Sequence, residues 1–598
     1  MPLRDRARWA LAVILSVAIL IAPAIWNQFP LLQYDTGGYL ARWYEGTLVP
    51  SRAVVYGLIL NLGVPLSFWP VLLAQAALTV WIFALILRVH GLGGRPWLLL
   101  GSVTVLSILT TLPWLTAILL TDIFCGLGVL GLYLLLLRGD ALSGREKIGL
   151  IVLCAVSAAT HSATIAVMVA LVAAAVAVHM IDRVRIPRPD LGRAAIALVL
   201  GAVMTLAANY AVAKRVAWTP GGFALSFGRM LQDGIVNKYL DAHCPDAKLR
   251  LCAVKDELPR NADQWFWGSP LFDRLGRFAG LGQEMEYIAV RSLIEYPALQ
   301  IKTAAIATAR QLVGVQTGEG VVHWVWHTYF IVHDYTPQLE PAMKAARQQR
   351  AEISFTAINR LHYPLALIAM ALLPVVVLLA WRRKLPADLG ELAGFCMFAL
   401  LANAFVCGAL SNPHDRYGAR VVWLAAFAVG IVLVRVYERQ KAPRAAESPA
   451  FCRPDVSLLN QSLAAAFTSR RALCFPGGGR RSLVARVRRL GNDGLSARQH
   501  RSARASAGLA AAAVGGLGLF RRRHGSFAAG ARHPQRFSAD LPRHRRLSRP
   551  ADPRHARHGT LGALWRLSLP RHSIELLAQC RPAIGADGVA DRADLARA

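Results

Sequence analysis

The sequence predicts an all-α polytopic membrane protein, and three observations predict it. The 598-residue chain is 55% hydrophobic and only 17% charged. Its apolar residues come in blocks near the ~20-residue length that a bilayer-crossing helix needs. Those blocks recur over roughly residues 1–440, and Lys/Arg clusters fall at alternate ends of them, as cytoplasmic loops require.

Ten spans follow in order. Helix 1, 9–26, follows the basic start Arg4-Asp5-Arg6-Ala7-Arg8 and, with no small-x-small cleavage site after it, reads as retained rather than as a removed signal. The segment 27–66 reads as an external loop with short interfacial helices, since Tyr39, Trp43 and Tyr44 suit the headgroup region. Helix 2 covers 68–89 and ends at Arg88 to Arg95; helix 3 covers 96–112 and turns at Pro113-Trp114. Helix 4, 118–137, returns to Arg138, Arg145 and Lys147. Helix 5, 148–160, ends near His161-Ser162; helix 6 then runs to His179, and helix 7 is 193–212. Helix 8 (363–381) is closed by Arg382-Arg383-Lys384; helices 9 (389–410) and 10 (419–436) complete the set.

The expected organisation is thus an N-terminal membrane module (1–212), a mainly helical extracytoplasmic domain (213–361), a C-terminal membrane module (362–441) and a tail (442–598). Both ends of the membrane part lie inside and the large domain outside. This places the chain in a cytoplasmic (inner) membrane.

The formal charge of +32 invites a nucleic-acid partner until the charge is located. Residues 442–598 hold 28 Arg against 9 acids and contain no Lys, Tyr or Met. Arg, Ala, Gly and Pro have GC-rich codons, so the tail reads as an out-of-frame or otherwise non-native end. A disordered basic tail is the alternative, and no nucleic-acid partner is expected.

In the external domain Cys244 and Cys252 are the only cysteines, while Cys125, Cys154, Cys396 and Cys407 lie in apolar helices. An oxidising outer compartment favours pairing the first two; two unpaired thiols are the alternative.

Ionisable groups near membrane depth are costly, so each is a functional candidate. Four acids fall on the outer side: Asp35 after helix 1, Asp122 at the mouth of helix 4, Asp334 and Asp415. Asp122 sits in the otherwise uncharged run Leu112–Phe124, where a structural bond to a helix end or an Arg competes with a chemical role. His414-Asp415-Arg416-Tyr417-Gly418-Ala419-Arg420 packs a base, an acid and two guanidinium groups into one turn. Arg suits bidentate phosphate binding, and an interfacial anchor is the plainer reading. Arg52, Arg229 and His161 are further substrate contacts, His161 equally a helix-packing histidine. Trp265-Phe266-Trp267 and His323-Trp324-Val325-Trp326-His327 could stack on sugar rings or serve as core. The sequence has no P-loop, dinucleotide glycine motif or Cys/His metal cluster, which removes a nucleotide-driven pump. The one candidate metal is a divalent cation held by Asp35 and Asp122.

Asp35 in the first external loop, Pro113–Asp122 at the second, the His161 turn and the late external domain together resemble the GT-C class of membrane glycosyltransferases. The protein mannosyltransferases and the lipid A aminoarabinose transferase belong to that class. The resemblance covers about residues 1–440 and implies transfer of a sugar from a polyprenyl-phosphate donor to an extracytoplasmic glycan, lipid or protein acceptor. It makes Asp35 the catalytic acid of the first loop. Asp122 then orients the reaction, and Arg52, Arg416 and Arg420 hold phosphate. A transporter or flippase of a lipid-linked substrate and a lipid-linked polymer ligase are the competing classes.

Overall fold

A computed structural model describes residues 3–219 and 221–441, and every regular element in them is helical. The expected readings of the tail at 442–598 lie outside the described residues. The N-terminal part contains α1 (Leu3–Leu20), α2 (Ala22–Asn27), α3 (Thr36–Glu45), α4 (Val54–Gly63), α5 (Trp69–Leu87), α6 (Pro96–Leu109), α7 (Leu112–Ala117), α8 (Asp122–Leu137), α9 (Gly144–Thr160), α10 (Ser162–Ile181) and α11 (Leu191–Ala213). A polar segment follows with α12 (Gly222–Gln232), α13 (Ile235–His243), α14 (Pro270–Arg274), α15 (Arg277–Glu295), α16 (Pro297–Val313), α17 (Trp326–Tyr335) and α18 (Glu340–Ala345). Three apolar helices end the described chain: α19 (Thr356–Trp381), α20 (Ala387–Ala404) and α21 (Asp415–Lys441).

Local chemistry sets several starts. Ser143 and Glu146 form a reciprocal capping box at α9, and the Asp190 carboxylate accepts from the Arg193 N–H at α11. Proline occupies the first turn of α2, α5, α6, α7 and α16, where its missing N–H costs nothing.

Six helices among the described residues are long and apolar enough to cross a membrane: Trp69–Leu92, Ser162–Ile181, Leu191–Ala213, Thr356–Trp381, Ala387–Ala409 and Asp415–Lys441. The other four expected spans fall on helices that are shorter or begin with charges. α6 and α8 have 14 and 16 residues, α9 opens with Arg145, Glu146 and Lys147, and α1 carries Arg4, Arg6 and Arg8.

Several boundaries differ from expectation: α9, α19 and α21 start at 144, 356 and 415 rather than 148, 363 and 419, and two further differences shape the first loop. The first apolar run breaks at Ile21 into α1 and α2, and Gln28 ends it in a left-handed conformation at φ 67°. Helix 4 begins at Asp122 rather than 118. Residues 118–121 are non-helical because their backbone bonds elsewhere: the Leu31 N–H donates to the Ala117 carbonyl and the Leu119 N–H to the Leu31 carbonyl, both at 3.0 Å. The Gln75 side-chain amide from α5 reinforces this, its Nε2 donating to the Thr116 and Ile118 carbonyls at 3.0 and 3.2 Å.

α8 is the central post, buried from Asp122 to Leu136. At Gly126 a Cβ would stand 2.4 Å from the Trp423 ring, so glycine lets α21 approach α8 closely. That approach brings Asp122, one turn earlier on α8, beside Arg416 and Arg420 on α21. The opposite end of α8 carries a different polar group: Arg138 bonds Tyr133 at 3.0 Å and Glu391 at 2.5 Å, and Tyr133 meets His90, which meets Asp388 at 3.0 Å.

The polar segment does not form one unit with edges at 213 and 361. A separate core holds Phe227, Tyr239, Trp265, Phe272 and Met285, and beside it Cys244 and Cys252 are joined in a disulfide. Residues from Val315 to Ala346 pack instead into the core of the apolar helices. The chain therefore leaves those helices and comes back before α19, and the returning stretch is what closes over the first loop. Trp265 and Phe266 lie inside the separate core, while Trp267 is 63% exposed.

Candidate functional site

The loop before α3 is held rigidly by long-range backbone bonds. Besides the pairing of Leu31 with 117–119, the Gln348 side chain accepts from the Leu32 N–H at 2.9 Å and donates to the Leu32 carbonyl at 2.7 Å and the Val322 carbonyl at 3.0 Å. The Gln348 N–H in turn donates to Asn27 Oδ1 at 2.7 Å. Thr36 Oγ1 donates to the Leu119 carbonyl at 3.0 Å. One buried glutamine thus ties the returning stretch to the first loop.

Asp35 occupies the N-cap position of α3, yet its carboxylate makes no cap bond. An N-cap aspartate ordinarily accepts from an N–H of the first turn. Here the Gly37 N–H goes to Thr328 Oγ1 on α17 at 3.1 Å. Only glycine permits this, since a Cβ at 37 would lie 2.7 Å from the Thr328 backbone. The carboxylate is released to two arginines: Oδ1 accepts from Arg52 Nη2, and Oδ2 accepts from Arg416 Nη1 at 2.8 Å.

Arg416 joins two acids. Its Nε lies 3.2 Å from Asp122 Oδ2, so the guanidinium stands between Asp35 and Asp122. Asp122 is 1% exposed, and its Oδ1 and the neighbouring Thr121 Oγ1 have no hydrogen-bond partner. Three arginines and two carboxylates make this centre one charge positive when Arg420 is counted. Burial alone would raise the pKa of Asp35, but Arg52 and Arg416 outweigh it, with help from His161, and hold it down to about 2. The carboxylate is ionised at any working pH.

Arg420 is buried behind the centre, its Nε and Nη2 donating to Asn403 Oδ1 at 2.9 and 2.7 Å and Nη2 lying 3.1 Å from Cys407 Sγ. In front, His414 bridges two carboxylates, Nδ1 to Glu319 Oε1 at 2.8 Å and Nε2 to Asp263 Oδ1 at 3.4 Å. Burial disfavours its charge, yet Asp263 and Glu319 push it up to about 10. Glu319 also accepts from the Arg416 N–H at 2.7 Å, and Asp415 Oδ1 accepts from the Gln316 N–H at 3.0 Å. The 314–320 stretch is thereby laid across the start of α21.

Beside the centre a small cleft opens between residues 48–53 and helices α9, α10 and α11. Arg52 and His161 line it with Ser51, Asn209, Trp218 and Thr219. Arg52 therefore touches both Asp35 and the cleft.

The structure brings together Asp35, Asp122, Arg52, Arg416 and Arg420 in the centre, with His161, His414 and Asp415 around it. Arg229 lies elsewhere, held between α12 and α16 by Asp233 at 2.6 Å, Gln300 at 2.7 Å and Thr303 at 3.0 Å. Asp334 is exposed on the last turn of α17. A divalent cation between Asp35 and Asp122 does not fit this arrangement, because the Arg416 guanidinium fills that position. No cluster of three His, Cys, Asp or Glu side chains suited to a metal occurs among the described residues.

No family model, curated protein or solved structure matches this chain.

Sequence reasoning missed Glu319, Asp263, Thr328 and Gln348. Glu319 carried one signal, for Gly318 and Gly320 flank it much as glycines follow Asp35. Asp263 and Gln348 carried none, lying in polar stretches without a period.

Proposed function

We propose that the chain is an integral membrane glycosyltransferase that moves a sugar from a polyprenyl-phosphate donor to an extracytoplasmic glycan, lipid or protein acceptor. In this reading the chain crosses a cytoplasmic membrane ten times in a GT-C-like layout, with both ends of the membrane part inside. The observation that carries it is a carboxylate, Asp35, withheld from capping its own helix and aimed into a cationic centre at one end of apolar helices. An enzyme acting on a lipid-borne phosphate needs that combination at that depth.

The acceptor hydroxyl attacks the anomeric carbon, whose bond to the phosphate oxygen breaks. The electron pair leaves with the phosphate, and the hydroxyl proton passes to Asp35. Arg52 and Arg416 stabilise the departing phosphate, Arg420 adds positive potential from behind, and Asp122 fixes Arg416. No metal step enters.

The Asp35→Asn variant tests this reading. Sugar transfer from a labelled polyprenyl-phosphate donor to membrane acceptors should fall by about 100-fold or more, the scale of general-base catalysis. Undiminished transfer would contradict it. The same ion-paired centre favours one second reading, a transporter of a lipid-linked substrate with Arg416 as a gate joining α21 to the first loop. That reading expects Asp35→Asn to change substrate movement across liposomes with no sugar transfer in either protein.

A further inference from the structure

We propose that the cleft between residues 48–53 and α9–α11 binds a lipid phosphate headgroup, and that the bound anion draws Arg52 away from Asp35 and so unmasks the carboxylate. The inference rests on the glycosyltransferase reading for the identity of the ligand, and on the geometry for the rest.

The lining of the cleft contains Arg52 and His161 and no acidic side chain. His161 Nδ1 accepts from the Ala163 N–H at 3.1 Å, so in the neutral ring the proton sits on Nε2, which leaves that nitrogen a donor. The amide donors of Asn209 are spent on the Ala217 and Trp218 carbonyls at 2.7 and 3.1 Å, and the Thr205 hydroxyl on the Gly201 carbonyl at 3.0 Å. Arg52 and His161 are the cationic and imidazole groups placed to bind an anion there, beside the Ser51, Ser162, Thr219 and Trp218 side chains of the same lining. Leu48, Val49, Ala53, Ala158 and Ala159 supply an apolar wall for the chain that carries the phosphate.

Arg52 is built to change partners. It follows Ser51, held left-handed at φ 62° in a tight turn whose Arg52 N–H donates to the Val49 carbonyl at 3.2 Å. Its guanidinium is shared between Asp35, through Nη2, and the Ser51 carbonyl, at 3.2 Å through Nη1. A phosphate offers more charge and a fork-matched geometry than one carboxylate oxygen. Arg416 would keep hold of Oδ2, so Asp35 stays in place while Oδ1 becomes free. A carboxylate with one cationic partner in place of two is a stronger base. The base would be switched on only when the donor is seated, which protects the centre from idle proton exchange.

The test is competition for Arg52, read as equilibrium binding of farnesyl phosphate and of inorganic phosphate to the full chain in nanodiscs. Removing the competitor in Asp35→Asn should tighten farnesyl phosphate binding by about tenfold, the weight of one charged hydrogen bond. Asp122→Asn removes a similar nearby charge not bonded to Arg52, and should tighten it less. Arg52→Gln should lose binding, and adding Asp35→Asn to it should restore none. His161→Gln, which leaves the ion pairs intact, should weaken binding several-fold and guards against misfolding of the Arg52 variant. Equal effects of the two acid variants, or tightening that persists without Arg52, would overturn the switch. Inorganic phosphate should show the same order more weakly, and equal affinity for the two ligands would overturn the lipid assignment. Because no transfer is measured, a working switch in a chain that moves no sugar would sink only the glycosyltransferase reading.

Discussion

Arg416 reaches Asp35 at 2.8 Å and Asp122 at 3.2 Å, and the three side chains are 12%, 15% and 1% exposed. Two carboxylates so deeply placed repel each other unless a cation stands between them. Removing that cation leaves uncompensated buried charge, which costs about 3–5 kcal/mol. Arg416→Ala should therefore lower the thermal unfolding midpoint in detergent by several degrees. Asp122→Asn added to it should recover part of the loss, because the orphaned charge is then gone; no recovery would mean that Arg416 contributes packing rather than charge. Both acids were visible in the sequence as rare charges beside apolar runs, and Arg416 as part of a dense turn. Their meeting was not visible, since Asp35 and Arg416 are 381 positions apart and no local pattern encodes so distant a pairing.

At the scale of elements, the 314–320 stretch is fastened to the start of α21 by His414 between Glu319 and Asp263. His414 is raised from its ordinary value of 6.5 to about 10. A raised value means that the clamp contributes fully below about pH 6.5 and is lost as pH rises through about 10. Protection factors of 314–320, corrected for the base-catalysed intrinsic exchange rate, should fall between those limits, and His414→Gln should remove that fall; protection factors constant from pH 7 to 10 would contradict the clamp. The helices themselves were legible because an apolar run of membrane length has one stable outcome in lipid. The extended residues 118–121 were not, since they continue such a run unbroken. Their state is decided by Leu31 and Gln75, which supply the backbone partners a helix would otherwise give. Likewise Thr328 takes over the capping of α3, a substitution that nothing near Asp35 in the sequence announces.

The whole molecule is asymmetric along α8. One end holds Asp122 with the arginine-rich centre and the cleft; the other holds the network of His90, Tyr133, Arg138 and Glu391. At the first end the returning stretch from 315 to 346 covers the first loop. The disulfide between Cys244 and Cys252 belongs to the separately packed core on the polar segment. In the proposed glycosyltransferase reading, Asp35 and Asp122 act through one centre. The measurement that meets it most directly is the initial rate of sugar transfer in Asp35→Asn, Asp122→Asn and the double variant. Residues acting as a unit are strongly non-additive, so the double variant should be no slower than Asp35→Asn alone, itself reduced by about 100-fold or more. Independent multiplication of the two losses, or full activity in Asp35→Asn, would contradict the account.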